Sequence, residues 1–313
     1  MKITILGAGA MGALFGGQLA EAGHEVVLLD VDESRIQAIQ TDGLVLETGS
    51  GRRTVRLPIM RPEQASGAPD WLLVFTKSLH TEAALAGVRH LIGPQTHLLS
   101  LQNGLGNAEK LAQAADAVRV AHGMTTVPAD VAAPGVVRSH GRGYVRCMMA
   151  DGHASAELEA LAEAMRGAGL DCSVTPDVLV DIWEKVAFNA AMNSMCALAG
   201  CPVDGLAALP EGVALVHDTA AEVLAVARAQ GVAVNEPRVA ALMDHAMAHH
   251  TGHQPSMLQD RLAGRPTEID AINGAVCRVA RKLDIPVPRN ETLWTLVRLA
   301  DQHGILQAEK AQA

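Results

Sequence analysis

A lysine and two asparagines recur every four residues in a strongly apolar stretch of the second half of the chain. Within residues 183–193, Lys185, Asn189 and Asn193 have the spacing i, i+4, i+8. On a helix, residues at this spacing share one face. A helix that is apolar on most sides is buried, and buried Lys and Asn side chains need partners. The stripe therefore indicates a bound ligand or a wet cleft, with a narrow solvent-facing strip as the alternative.

The chemistry available to this stripe centres on the lysine. Burial in apolar surroundings lowers the pKa of an ammonium group toward neutral pH. Such a group can act as the general acid for a carbonyl oxygen when the carbonyl carbon receives a hydride. We therefore predict that Lys185 is catalytic and that Asn189 and Asn193 bind the substrate.

A glycine pattern at the start of the chain predicts a dinucleotide site. Gly7, Gly9 and Gly12 follow an apolar run that is typical of a buried strand, and they open a predicted helix. The first glycine permits a tight turn, the second lets a pyrophosphate approach the backbone, and the third allows close packing of helix and strand. The helix N-terminus supplies free N–H groups. We assign Gly7, Gly9, Ala10, Met11 and Gly12 to cofactor binding, with a glycine-rich turn that binds nothing as the alternative.

Asp30 closes the second predicted strand, about 20 residues after the glycines, where an acid hydrogen-bonds the adenosine ribose and repels a 2′-phosphate. Asp32 adds negative charge, and Arg35 can pair with it. We therefore favour NAD(H) as the cofactor, with NADP(H) as the alternative. The other explanation of the acids is that one of them caps the helix that begins near Ser34.

Lys77 and Asn103 follow two further predicted strands, residues 71–76 and 97–101. Ligands of doubly wound sheets bind outside the carboxyl ends of the strands. We expect Lys77 to contact the cofactor and Asn103 to contact both cofactor and substrate. The alternatives are a solvated loop lysine and an ordinary Asn-Gly turn.

Two more candidates lie in the last quarter of the chain. Ser256 follows Pro255 at a predicted helix start, where a hydroxyl and free N–H groups suit a carboxylate. Glu268 is expected in the first turn of the next helix. Each has an ordinary explanation, an N-cap for Ser256 and a favourable helix dipole for Glu268.

A group of histidines raises the question of a metal. His245, His249 and His253 are spaced i, i+4, i+8, with His250 beside them. Two imidazoles on one helix face can bind a metal ion, but no partner carboxylate is evident. We predict a solvated helix face and no metal site.

Two domains are expected to position these residues. Residues 1–176 alternate strand and helix signals, which predicts an α/β domain with a parallel sheet of the Rossmann type. Short strands between residues 118 and 147 are expected to extend or close that sheet. Residues 177–313 show almost only helical periodicity, which predicts an all-α domain.

Composition excludes several classes of protein. The 313 residues carry a formal net charge of −9, which argues against nucleic acid or an anionic membrane as the main partner. The five cysteines form no C-x-x-C pair, which favours free thiols in a reducing cytoplasm. No segment has the length and apolarity of a signal peptide or of a transmembrane helix.

Taken together, these motifs resemble the ketopantoate reductase (2-dehydropantoate 2-reductase) family over nearly the whole chain. The markers are the glycine turn, Lys77, the sequence Asn-Gly-Leu-Gly from Asn103, the K-x-x-x-N-x-x-x-N helix, and S-M-L-Q-D followed by T-E-I-D-x-I-N-G. The resemblance implies a Rossmann-type N-terminal domain and a helical C-terminal domain like that of 6-phosphogluconate dehydrogenase. It implies reduction of 2-dehydropantoate to (R)-pantoate, a step of pantothenate biosynthesis.

The resemblance also implies roles for individual residues. Lys185 would protonate the developing alkoxide, Glu268 would orient Lys185 and the substrate, and Ser256 would contact the substrate carboxylate. Asn189 and Asn193 would hold substrate hydroxyl and carbonyl groups.

Two departures from the family pattern leave the cofactor and the substrate open. Many members carry an Arg after the second strand, where this chain has Asp30-Val31-Asp32, and a further Asn where this chain has Val203. An NADH-dependent reductase of another 2-oxo acid is therefore the alternative function, and a non-enzymatic dinucleotide sensor is a weaker one. A homodimer is left open.

Overall fold

The computed structural model describes the backbone of residues 1–312 and the side chains of residues 1–304. Contacts divide the chain into two compact units. The first consists of Met1–Gln102 and Asn107–Val178, and the second of Asn103–Gly106 and Leu179–Ala313. The short segment Asn103–Gly106 thus belongs to the second unit although it lies within the first half of the sequence. The domain boundary after residue 176 stays a prediction.

The first unit is built on strands and short helices, as the alternating pattern predicts. Its strands are β1 (Lys2–Leu6), β2 (Glu25–Leu29), β3 (Leu44–Thr48), β4 (Gly51–Val55), β5 (Ile59–Met60), β6 (Trp71–Val74), β7 (His97–Ser100), β8 (Val120–Thr125), β9 (Asp130–Ala133), β10 (Val136–Ser139), β11 (Tyr144–Met149) and β12 (Asp171–Val174). Its helices are α1 (Ala10–Glu21), α2 (Glu33–Asp42), α3 (Thr81–Gly87), α4 (Asn107–Leu111) and α5 (Ala156–Gly167).

The main sheet has eight strands in the order β12-β11-β8-β7-β6-β1-β2-β5. Its central strands pair in parallel, and β11 runs antiparallel to β8. Strands β1, β6 and β7 are almost continuously buried, as expected for parallel strands covered on both faces. The Rossmann-type architecture predicted from the sequence is therefore confirmed.

A second, four-stranded sheet has the order β4-β3-β10-β9. Strands β3 and β4 form an antiparallel hairpin, and β10 pairs in parallel with β3 and antiparallel with β9. The expectation that all short strands after residue 118 extend or close the main sheet is therefore wrong for β9 and β10. The partner of β10 in this sheet, β3, lies about 90 residues earlier, and local periodicity carries no information about such a pairing.

The second unit is helical, as predicted. Its helices are α6 (Val178–Ala199), α7 (Pro210–Ala229), α8 (Glu236–His249), α9 (Ser256–Leu262), α10 (Asn273–Lys282) and α11 (Pro288–Gln312), with a 3₁₀ segment over Val203–Ala208. Its core consists mainly of Ala, Val, Leu and Met side chains and is centred on α6. Within the part of the chain that the structure describes, no helix combines the length and the apolarity that crossing a membrane requires.

Candidate active site

The turn between β1 and α1 has the geometry of a phosphate-binding loop. Gly7 has a φ of 97°, a left-handed conformation that side chains disfavour, and its N–H donates to Leu29 O. A Cβ added to Gly12 would lie 1.9 Å from the Gly7 carbonyl oxygen, so only glycine lets the helix start this close to the turn. A Cβ added to Gly9 would meet no atom within 4 Å. The open side of Gly9 is where a pyrophosphate needs access.

The N-terminus of α1 complements this open space. The helix begins at Ala10, its N-cap residue Gly9 offers no side-chain hydrogen bond, and no acidic residue lies in its first turn. The first N–H groups of a helix have no intrahelical acceptor and carry partial positive charge. Ala10 and Met11 are half-buried. These residues fit the phosphates of a dinucleotide.

Asp30 is nearly buried, and four groups donate to its carboxylate. The backbone N–H groups of Ala8, Val31 and Asp32 donate at 2.7, 2.8 and 2.9 Å, and the Arg35 guanidinium lies 2.8 Å away. A carboxylate has about four acceptor positions. Asp30 therefore ties the glycine turn to the end of β2, whether or not it also contacts a ribose.

Asp32 caps the helix α2, which is the alternative explanation that the sequence leaves open. Its side chain accepts from Arg35 N at 3.2 Å and from the Ser34 hydroxyl at 2.6 Å, and it pairs with the Arg35 guanidinium. The Ser34 hydroxyl, followed by the bond from Arg35 N, holds the pKa of Asp32 below its usual value. Two acids and one arginine thus leave negative charge at the end of β2.

Lys77 and Asn103 follow β6 and β7, but both strands end earlier than the sequence suggests, at Val74 and Ser100. The buried side chain of Gln102, the residue before Asn103, donates to Thr76 O at 2.5 Å and to the Thr81 hydroxyl at 2.8 Å. This amide fixes the backbone that precedes Lys77 to the end of β7. Sequence reasoning missed Gln102, since a single glutamine after a strand carries no distinctive pattern.

The stripe on α6 is present as predicted. Lys185 is half-buried, and Asn189 and Asn193 are 9% and 5% exposed. Among the described residues, no hydrogen bond involves the side-chain amides of these two asparagines. The amide atoms are not among the completely buried polar atoms that lack a partner, so each retains some access to solvent. The two amides are therefore suited to receive polar groups of a ligand.

Lys185 has the electrostatic properties expected of a proton donor. Burial lowers its pKa to about 8, and the carboxylate of Glu268 partly offsets this effect. The neighbouring Glu184 points elsewhere, accepts from Asn235 N at 2.8 Å and pairs with Arg238 at 2.6 Å. This ion pair fixes α6 to the start of α8. The bonds of Glu184 therefore fix the position of α6 one residue before Lys185.

Glu268 lies in a turn and not in the first turn of a helix, so that expectation is wrong. The bend and turn comprise residues 268–272, directly after Thr267, and α10 begins only at Asn273. Asn103 Nδ2 donates to Glu268 Oε2 at 3.3 Å, and Leu105 N donates to Ala271 O at 2.9 Å. The second unit therefore brings together Asn103, Glu268 and the electrostatically coupled Lys185.

Ser256 and Val203 also belong to the second unit. Ser256 is exposed and is the first residue of α9, after Pro255. Val203 is 2% exposed, and its N–H donates to His253 O at 3.0 Å. The position at which the resemblance implies an asparagine is thus apolar and buried in this chain.

His245 and His249 lie in the last part of α8, and His250 and His253 follow its end. The rings of His245 and His249 stack at 4.3 Å, and those of His250 and His253 meet edge to face. Among the described residues, no group of three or more His, Cys, Asp or Glu has a geometry that could hold a metal ion.

Comparison with known proteins identifies the family. The family model "Ketopantoate reductase PanE/ApbA" matches residues 3–151, and the model of its C-terminal part matches residues 177–301. The 2-dehydropantoate 2-reductases of Streptococcus pyogenes and Halobacterium salinarum are each 34% identical to this chain. The alignments cover 95% of this chain and 97% of the first relative, and 97% of this chain and 100% of the second.

Solved structures agree with this match. A family ketopantoate reductase from Ralstonia eutropha has a TM-score of 0.90 at 33% identity, and D-mandelate dehydrogenase with NADH and anilino(oxo)acetate has a TM-score of 0.91 at 29% identity. Each comparison covers 97% of this chain and 99% of the other. The chain therefore belongs to the ketopantoate reductase family and is a nicotinamide-dependent oxidoreductase.

Proposed function

We propose that the protein reduces a 2-oxo acid to the corresponding 2-hydroxy acid, with 2-dehydropantoate as the first candidate substrate and (R)-pantoate as the product. The observation that carries this proposal is the face of α6, where Lys185, with its depressed pKa, shares the helix face with two largely buried asparagines whose amides make no hydrogen bond among the described residues. A carbonyl oxygen and hydroxyl groups are the ligand groups that such a face can bind.

The reaction needs one hydride and one proton at the carbonyl group. When bound at the glycine turn, a nicotinamide cofactor would supply the hydride for the carbonyl carbon. Lys185 Nζ gives its proton to the carbonyl oxygen as negative charge develops there, which completes the alcohol. Stabilising that charge in a site with little water lowers the barrier more than the same contact would in water.

The other side chains bind and orient in this scheme. Glu268 orients Lys185 and the substrate, and the bond from Asn103 holds the Glu268 carboxylate. Asn189 and Asn193 bind substrate hydroxyl and carbonyl oxygens, and Ser256 binds the carboxylate. On the cofactor side, the glycine turn holds the pyrophosphate, and Lys77 contacts the cofactor.

A second candidate substrate is a different 2-oxo acid, without the hydroxyl group of ketopantoate. The buried Val203 supports it, because a site without a hydrogen-bond partner for a hydroxyl group loses discrimination in favour of that group. The likeness to D-mandelate dehydrogenase also supports it.

The proposed function is tested by steady-state reduction of three compounds: 2-dehydropantoate, 3-methyl-2-oxobutanoate and phenylglyoxylate. We expect NADH oxidation with at least one of them, and kcat/KM higher for 2-dehydropantoate by at least about tenfold if the enzyme binds its hydroxyl group. A higher kcat/KM for either of the other two acids would support the second candidate. Any turnover eliminates a pure dinucleotide sensor, and the absence of turnover with all three contradicts the proposed function.

For the cofactor, we propose NAD(H). The charge balance of Asp30, Asp32 and Arg35 is negative, and the acids lie where a 2′-phosphate of NADP(H) would approach. The Arg35 guanidinium is already paired with both carboxylates. The wild-type enzyme is therefore expected to use NADH with a higher kcat/KM than NADPH.

Changing Asp32 to Ser tests the cofactor assignment. Serine keeps the N-cap of α2 but removes one negative charge. The ratio of kcat/KM for NADH to kcat/KM for NADPH is expected to fall by about fivefold, because one partly screened charge no longer repels the 2′-phosphate of NADPH. The Asp42→Asn variant makes the same charge change at the other end of α2 and is expected to leave the ratio unchanged. A wild-type preference for NADPH, or equal ratios in wild type and Asp32→Ser, would contradict the assignment.

A further inference from the structure

We propose that Asn273 is a positioning residue for the reduction, one that holds the turn bearing Glu268 against the helix α6 bearing Lys185. The inference rests on the proposed function. It assigns a role to a side chain that contacts neither substrate nor cofactor in the scheme above.

Asn273 is fully buried at the first residue of α10, directly after the turn that contains Glu268. Its Nδ2 donates to Ala190 O on α6 at 2.9 Å and to Asn290 Oδ1 at 3.1 Å. Ala190 follows Asn189 on the helix. One amide group thus connects the turn, α6 and α11.

The orientation of this amide is fixed by its neighbours. Asn290 is also fully buried, and its Nδ2 donates to Thr219 O at 3.0 Å and to Glu222 Oε2 at 2.9 Å. The Asn290 oxygen is therefore left to accept from Asn273. A flipped Asn273 amide would place its oxygen against two acceptors, Ala190 O and Asn290 Oδ1. The bond to α6 has one available geometry.

Satisfying the Ala190 carbonyl does not explain the bond. Ala190 O already accepts from the Ser194 hydroxyl at 2.6 Å, in addition to the ordinary bond of the helix. Asn273 Oδ1 itself has no hydrogen-bond partner among the described residues, and a buried unpaired oxygen costs stability. The unpaired Oδ1 makes Asn273 a costly way to satisfy the Ala190 carbonyl alone. We therefore attribute the presence of Asn273 to the link that its Nδ2 makes between α10 and α6.

The rest of the turn is fixed from other sides. Thr267 donates to Asp301 through both its N–H and its hydroxyl, at 3.1 and 2.7 Å. Trp294 Nε1 donates to Asp270 at 2.7 Å. These bonds attach the turn to α11, while Asn273 attaches it to α6. Loss of the Asn273 amide would therefore change the position of Glu268 relative to Lys185.

The test compares Asn273→Ala with Ser194→Ala. Both variants remove a side-chain hydrogen bond to the same oxygen, Ala190 O, but only the first removes a link between elements. We expect kcat of Asn273→Ala to fall by about tenfold, since small displacements of reacting groups are costly. KM for the nicotinamide cofactor should stay within about twofold, because ground-state binding of that group is untouched. Ser194→Ala is expected to keep the wild-type kcat.

A double-mutant cycle shows whether Asn273 acts through Glu268. In a Glu268→Gln background, Asn273→Ala is expected to lower kcat by less than about twofold, because coupled residues are not additive. The full loss in that background, or a wild-type kcat for Asn273→Ala, would overturn the proposal. If Asn273→Ala does not fold, Asn273→Ser, which retains a donor, is measured in the same cycle. A wild-type enzyme without activity on any 2-oxo acid overturns the proposed function, whereas an active wild type with an unaffected variant overturns only the role of Asn273.

Discussion

Replacing Lys185 by methionine is expected to lower kcat for reduction of the 2-oxo acid by about 100-fold or more, the contribution typical of a positioned general acid. Methionine keeps the length and the apolar stem of the side chain, so the packing of α6 is preserved. Binding of NADH, measured by fluorescence titration, is expected to be unchanged. The matched control is Lys282→Met, which removes an exposed lysine of the same unit and should leave kcat at the wild-type value.

The pH dependence of the wild-type enzyme gives the same prediction a second readout. The pKa of Lys185 is about 8 because burial disfavours its charged form. The ammonium form donates the proton, so kcat for reduction should be constant below this pH and fall as the pH rises through about 8. Oxidation of the hydroxy acid needs the neutral amine and should show the opposite limb. Lys185→Met should lose both limbs, and an unchanged pH profile in that variant would contradict the assignment.

The second large effect is expected at the glycine turn, where two substitutions of the same size should act differently. Gly9→Ala places a methyl group in open space, so the protein should fold normally while the Kd for NADH rises by about tenfold or more as the pyrophosphate loses its approach. Gly12→Ala places its methyl group 1.9 Å from the Gly7 carbonyl oxygen. It should lower the free energy of unfolding by about 3 kcal/mol, as overpacked sites do.

Thermal unfolding and NADH titration of both variants distinguish these outcomes. Gly87→Ala serves as the control, because a Cβ at Gly87 also meets no atom within 4 Å and lies in α3. It should leave the affinity for NADH unchanged and raise the free energy of unfolding by at most about 1 kcal/mol, as an alanine in place of a helical glycine does. A Gly9→Ala variant that binds NADH as tightly as wild type would show that the dinucleotide does not approach this turn.

The parts of the site that the sequence predicts are those that local geometry determines. The turn at Gly7–Gly12 follows from its place between a strand and a helix. The alignment of Lys185, Asn189 and Asn193 on one helix face follows from their four-residue spacing, which can be read directly from the sequence. The sequence likewise shows the negative charges of Asp30 and Asp32 at the end of a strand. It does not show that four groups donate to the Asp30 carboxylate.

The parts that sequence reasoning misplaces or misses depend on contacts between distant residues. The sequence predicts Glu268 in the first turn of a helix, but it lies in a turn that Leu105 contacts through Ala271 O and Asn103 through the Glu268 carboxylate. Asn273 stands in a recognisable motif, yet its partner Ala190 lies 83 residues away. The pairing of β10 with β3 is missed for the same reason.

The assignment of Asn103–Gly106 to the second unit also bears on how such proteins can be recombined. Leu105 packs against the core of that unit, and a Cβ at Gly104 would lie 2.1 Å from Ala271 O. The chain therefore does not consist of two cassettes joined by one linker. A chimaera that replaces residues 1–178 with those of a relative also replaces a segment that packs against the core of its helical half. Such exchanges should succeed only when the donor supplies a compatible four-residue insert.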